Sequence, residues 1–108
     1  MTNFRIITAA AVLAVTALAP VAATAEDGAA LYQSKTCFTC HGKDGDSPIM
    51  PSYPKIAGQN PEYSLQQMKD IKSGARSNGQ SAVMKGIVAA VSDEELKAIA
   101  EWLAKQPK

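Results

Sequence analysis

Two cysteines and one histidine are all the thiol and imidazole the chain contains, and all three fall in Cys37-Phe38-Thr39-Cys40-His41. Three chemistries use such a set. A structural zinc site needs four ligands, and this cluster offers three with no second ligand pair elsewhere. A thiol–disulfide redox pair usually opens a helix after a strand in a βαβ pattern, and no such pattern is visible around Cys37. The remaining chemistry is attachment of a c-type haem. Two thiols at this spacing can each add to one vinyl group of a porphyrin, and the next residue, a histidine, then lies beneath the iron. Haem attachment uses all three residues. It makes Cys37 and Cys40 thioether positions and His41 the proximal iron ligand.

A second histidine from the same chain is excluded, because there is none. The thioether of methionine is the usual alternative for the sixth iron position, and His/Met ligation raises the reduction potential. Met50, Met68 and Met84 follow the motif. Met68 shares an apolar stripe with Leu65 and Ile71 and reads as core filler. Met50 lies only nine residues after His41, in a loop that must also wrap the proximal side. Met84 lies in the segment between two expected helices and can approach the opposite face, so Met84 is the favoured ligand.

The elements that position these residues follow from caps and periodicity. Residues 1–25 read as a secretory signal peptide. Arg5 precedes an apolar run from Ile6 to Ala19, and Ala23-Thr24-Ala25 fits a small-x-small cleavage site. That run is shorter than the roughly 20 residues a bilayer crossing needs. Cleavage leaves 26–108 as one domain. Losing Arg5 takes the 11 basic residues to 10, against 10 acidic ones. A near-neutral chain argues against nucleic acid or an anionic membrane surface as partner.

A first helix is predicted from about Asp27 to Ser34, with Asp27 as cap. Residues 42–58 are loop, punctuated by glycine and proline. Asn60 caps a second helix with Pro61 at its first position, and Gly74 stops it. Arg76 to Gln80 is loop. Ser92-Asp93-Glu94-Glu95 is a capping box, followed by Leu96, Ile99, Ala100 and Leu103 at helical spacing. A short helical turn is expected around Met84 to Ala90, and no strand. The sum is an all-α domain of three to four short helices with long loops. Loops that long in so small a domain need a ligand to organise them.

The motif "CFTCHGKDGDSP", the segment "YPKIAGQNPEYSLQQMKDIKSGAR", the Met84 region and "VSDEELKAIAEWLAKQ" resemble a class I c-type cytochrome. More closely, they resemble one half of the bacterial periplasmic two-haem cytochromes c-four and their single-haem relatives. The likeness extends over nearly all of Glu26 to Gln106. It implies a cytochrome c fold around one covalent haem c, with His41 proximal and Met84 distal. It further implies that the Pro54 carbonyl accepts a hydrogen bond from His41, and that Ile56 packs on the ring where the family has leucine. Pro54 as a plain loop stiffener is the alternative. Gly28, Tyr32 and Trp102 match the family's crossing of first and last helices. One motif and one domain set this chain apart from the two-haem members.

A haem with both axial positions filled by protein has no open site for substrate, which leaves electron transfer. The expectation is therefore an electron-transfer protein and not an enzyme: a soluble, monomeric carrier in the periplasm. Its partners would be redox proteins, a membrane donor and a terminal acceptor or enzyme, with no stable membrane insertion. A cytochrome subunit of a redox enzyme complex is the alternative, and an open sixth position would instead make a gas-binding protein. Lys69, Lys72, Arg76 and Lys85 are candidates for a docking patch facing an acidic partner, against the plainer reading of a solvated helix face.

Overall fold

The computed structural model describes residues 10–11 and 27–108. The signal peptide expected over residues 1–25 therefore lies, but for Ala10 and Ala11, outside the described residues. Among the described residues there are five helices and no strand. None of the helices is long and apolar enough to cross a membrane.

Three helices begin and end where the sequence marks them. In α1 (Gly28–Ser34) the Asp27 carboxylate accepts the Ala29 N–H at 3.2 Å. In α3 (Pro61–Ser73) Asn60 Oδ1 accepts the N–H groups of Glu62 and Tyr63, at 2.9 and 3.1 Å. Pro61 at the first helical position has no N–H to leave unpaired. Gly74 ends α3 at φ 89°, a left-handed conformation that needs no Cβ. The Ser92 capping box opens α5 (Asp93–Ala104). Ser92 Oγ accepts the Glu95 N–H at 3.2 Å and Glu95 Oε1 accepts the Ser92 N–H at 3.0 Å.

The other two helices differ from the sequence expectation. The haem motif itself forms a separate helical turn, α2 (Cys37–His41), which raises the count from three or four to five. Its cause is Thr36, whose φ of 63° and ψ of 20° turn the chain out of α1. A β-branched residue rarely adopts that conformation, so nothing local announced the break. The turn expected at Met84–Ala90 is a full helix three residues earlier, α4 (Ser81–Val88). No side chain caps it. A backbone turn starts it instead: the Ser81 N–H donates to the Asn78 carbonyl at 3.1 Å across Gly79, whose φ is 55°.

The core lies where α1 and α3 pack on α5. Leu31, Tyr32, Met68, Ile71, Val88, Val91, Leu96, Ile99, Ala100 and Leu103 form one buried cluster. Each fully buried aliphatic side chain contributes roughly 1.5–3 kcal/mol. Gly28, Tyr32 and Trp102 meet at the α1–α5 crossing, as the family resemblance implied. The Tyr32 and Trp102 rings lie 4.9 Å apart at 41°. A Cβ on Gly28 would stand 2.2 Å from the Ala98 carbonyl oxygen and 2.6 Å from Trp102 Cβ. Only glycine lets the two helices come so close.

The long loop 42–58 is pinned by backbone bonds. The Ile49 N–H donates to the Cys40 carbonyl at 3.1 Å, those of Ile56 and Ala57 to the Gly45 carbonyl at 2.8 and 3.1 Å, and that of Gly58 to the Leu103 carbonyl at 2.8 Å. The loop is thereby fastened to α2 at one end and to α5 at the other, with Pro54 and Ile56 held between.

Candidate haem site

His41, at the end of α2, is 8% exposed. Its Nδ1 lies 3.0 Å from the Pro54 carbonyl oxygen. A carbonyl only accepts, so Nδ1 carries the proton and donates. In the neutral ring Nε2 is then unprotonated, with its lone pair free. Burial pushes the imidazole below its ordinary pKa, opposed by the bond to Pro54, so the neutral, metal-ligating form prevails at neutral pH. Cys37 and Cys40 are both half-buried and form no disulfide with each other. Burial pushes the Cys37 thiol up.

A cavity of about 420 Å³ opens beside these groups, within the size range of ligand sites. Cys37, Cys40 and His41 line it, as does Met84 of α4. Ile56 lines it too, packed against the core, along with Ile71, Val88, Leu96 and Leu103. An apolar chamber with two thiols, a buried imidazole with a free lone pair, and a thioether fits a haem that is tethered and ligated from the protein. The fit rests on this donor set.

The structure brings together Cys37, Cys40, His41, Pro54, Ile56 and Met84, the six site residues singled out from sequence. Met68 also reaches the cavity lining, but it is a buried member of the core cluster. Met50 is 45% exposed and is not among the lining residues. Tyr32 has a role that sequence reasoning missed. Its hydroxyl donates to the carbonyl of Gly42, the residue after His41. Desolvation pushes its phenol well above the ordinary range, so it stays a donor. No sequence signal links Tyr32 to Gly42, since the contact depends on α1 folding beside α2. The proposed cationic patch is not one free surface: Lys69 and Lys72 approach Asp93 at 3.9 and 3.8 Å, Lys72 also donates to the Val91 carbonyl, and Arg76 lines the cavity.

Residues 25–107 match the family model for cytochrome c. The chain belongs to the cytochrome c family. Its cofactor is accordingly haem c, bound covalently. Cytochrome c4 of Pseudomonas aeruginosa is 43% identical over 94 residues, covering 87% of this chain and 44% of that protein. Cytochrome c-553 of Nitratidesulfovibrio vulgaris is 37% identical over 101 residues, covering 94% of this chain and 97% of its own length. A thiosulfate dehydrogenase electron acceptor of Stutzerimonas stutzeri is 39% identical, over 79% of this chain and 41% of that protein. Reduced recombinant cytochrome c4 from Pseudomonas stutzeri superposes with a TM-score of 0.67 at 25% identity, over 77% of this chain and 48% of that one. The chain thus spans about half or less of the length of the cytochrome c4 relatives it matches and nearly the whole of cytochrome c-553. The all-helical cytochrome c fold expected from sequence is the fold found.

Proposed function

We propose that this protein is an exported, single-haem electron carrier of the periplasm, with Cys37 and Cys40 as thioether positions and His41 and Met84 as axial ligands. The observation that carries the proposal is the convergence of those four side chains on one apolar cavity, with His41 Nδ1 held by Pro54. When bound, the haem iron supplies a one-electron couple. The chain's own residues set the terms of that couple. The Pro54 carbonyl fixes the imidazole plane and makes the ring a stronger donor. The Met84 thioether favours a higher potential than a second imidazole would. Ile56, Ile71, Val88 and Leu96 line the cavity with apolar surface and would exclude water from the bound haem. With both axial positions taken by side chains, no substrate site is left.

The likeness to a thiosulfate dehydrogenase electron acceptor favours a second reading of the same chemistry, in which this chain receives electrons from a periplasmic dehydrogenase. The two differ in partner and not in centre.

Optical spectra of the purified protein, oxidised and reduced, with and without carbon monoxide, test the centre. Sharp low-spin bands with no response to carbon monoxide are expected. Met84→Ala should keep covalent haem, bind carbon monoxide and lower the midpoint potential. His41→Ala should lose the low-spin spectrum. A wild-type protein that is high-spin and binds carbon monoxide would overturn the carrier assignment in favour of gas binding. An unchanged spectrum in Met84→Ala would overturn the distal ligand.

A further inference from the structure

Helix α4 carries Met84 on light anchorage. It has eight residues, of which only Ser81 and Val88 are buried. It packs on α3 and, among the described residues, on no other helix. No side chain caps its start, and Gly86 in its interior lowers its helix propensity. A helix this short does not hold its shape by backbone bonds alone, and segments with few buried contacts open at low cost. A ligand carried on α4 therefore needs ties from outside the helix.

Lys72, in the last turn of α3, supplies such a tie. Its ammonium donates to the carbonyl of Val91, in the link 89–92 that joins α4 to α5. Val91 is 2% exposed, and its N–H donates to the Val88 carbonyl at 3.0 Å. Its own carbonyl accepts from no backbone N–H among the described residues. A carbonyl left without a donor on a buried residue is costly, and Lys72 meets that need. The Asp93 carboxylate, at the first position of α5, stands 3.8 Å from the same ammonium, with Lys69 at 3.9 Å on its other oxygen. The helix to which the link is tied is itself fixed, because Met68 and Ile71 of α3 are buried in the core and line the cavity.

We infer that Lys72 is a positioning residue for the distal ligand: by bonding the Val91 carbonyl to α3 it fixes the end of α4 and keeps Met84 at the iron. This rests on the Met84 ligation proposed above and adds to it the group that holds the ligand in place. Lys72, a docking candidate from sequence, is thereby assigned to the support of the site. The consequence is readable by competition. Added imidazole reaches the oxidised iron only when Met84 has left it, so its apparent affinity is the intrinsic one multiplied by the detached fraction. That affinity measures how firmly α4 is held without requiring the protein to unfold.

The test is titration of the haem-loaded, oxidised protein with imidazole, followed by loss of the sulfur-to-iron charge-transfer band, for wild type, Lys72→Leu, Lys72→Gln, Lys72→Arg, Lys69→Gln and Gly28→Ala. Lys72→Leu keeps an apolar stem and removes the donor. It should raise the apparent imidazole affinity about tenfold, the low end for a hydrogen bond from a charged donor, because the Lys72 side chain is 30% exposed. Lys72→Gln should act in the same direction and decides if Lys72→Leu does not mature. Lys72→Arg keeps a cationic donor and should stay within about twofold of wild type. Lys69→Gln removes an equal charge and the other ion pair of Asp93 but no bond to Val91, and Gly28→Ala loosens the distant α1–α5 crossing. Neither should raise the affinity. Amide hydrogen exchange in α4 should quicken in Lys72→Leu while that in α1 stays as in wild type. An imidazole affinity unchanged in the Lys72 variants, or raised as much in Lys69→Gln or Gly28→Ala, would overturn the role of Lys72. A wild-type protein that lacks the charge-transfer band would instead overturn the Met84 ligation proposed above.

Discussion

The α1–α5 crossing is the sharpest place to test whether packing is correctly described. Gly28→Ala adds one carbon, 2.2 Å from the Ala98 carbonyl oxygen and 2.6 Å from Trp102 Cβ. Ordinary contact begins at 3.4 Å, so the new carbon falls short by about 1.2 Å. Its nearest neighbour is backbone inside α5 and cannot swing away. The helices must separate, which also loosens Tyr32 from Trp102. Overpacking of this kind costs about 1–3 kcal/mol, and a value near 2 is expected here. Gly28 opens α1, so little helix propensity is gained in return. For a domain of this size that cost lowers Tm by roughly 8–16 °C. Gly86→Ala is the counterpart. It lies inside α4 with nothing within 4 Å of the added carbon and no positive φ. It should stabilise by about 0.5–1 kcal/mol through reduced freedom of the unfolded chain, raising Tm by roughly 2–8 °C. The assay is thermal unfolding of both haem-loaded variants by far-UV circular dichroism. Equal Tm values for the two variants would refute the close crossing.

Other consequences are read the same way. Tyr32→Phe removes the donor to the Gly42 carbonyl, whose other donor is the Gly45 N–H at 3.4 Å. A loss of about 1–2 kcal/mol in chemical denaturation is expected. Ser92→Ala deletes half of the capping box and should cost about 1 kcal/mol, again read from the denaturation midpoint. The Glu95 carboxyl is held below its ordinary pKa, first by the Ser92 N–H and also by the Ser92 hydroxyl and Lys35. Its contribution is therefore present above the unfolded carboxylate pKa and lost as pH falls through the lower folded value. Glu95→Gln should remove that part of the acid-side slope, and a slope identical to wild type would contradict the capping geometry.

The motif residues, the α1, α3 and α5 boundaries and the apolar stripes were all legible in the sequence, because each is a short-range pattern. A cap bonds to an N–H two or three residues away, and a stripe repeats every three or four. Cys37, Cys40 and His41 are legible for the same reason, since one porphyrin edge fixes their spacing. What was not legible depends on contacts between distant segments. Thr36 adopts the left-handed conformation at the junction that folds α2 back beside α1, a contact no local pattern announces. The α4 start is set by a backbone turn at Asn78–Ser81 with no capping side chain. Residue types leave Met50, Met68 and Met84 chemically equal. Folding separates them, leaving Met50 exposed, burying Met68 among Ile71 and Leu96 in the core, and carrying Met84 on α4 to the cavity that His41 lines. The Pro54 carbonyl, thirteen residues after His41, meets Nδ1 only because the loop is fastened to Gly45 and Leu103. The motif was thus written into consecutive residues, whereas the Pro54 carbonyl at His41 and the place of Met84 in the cavity wall were decided by tertiary packing, which brings together groups that no local rule connects.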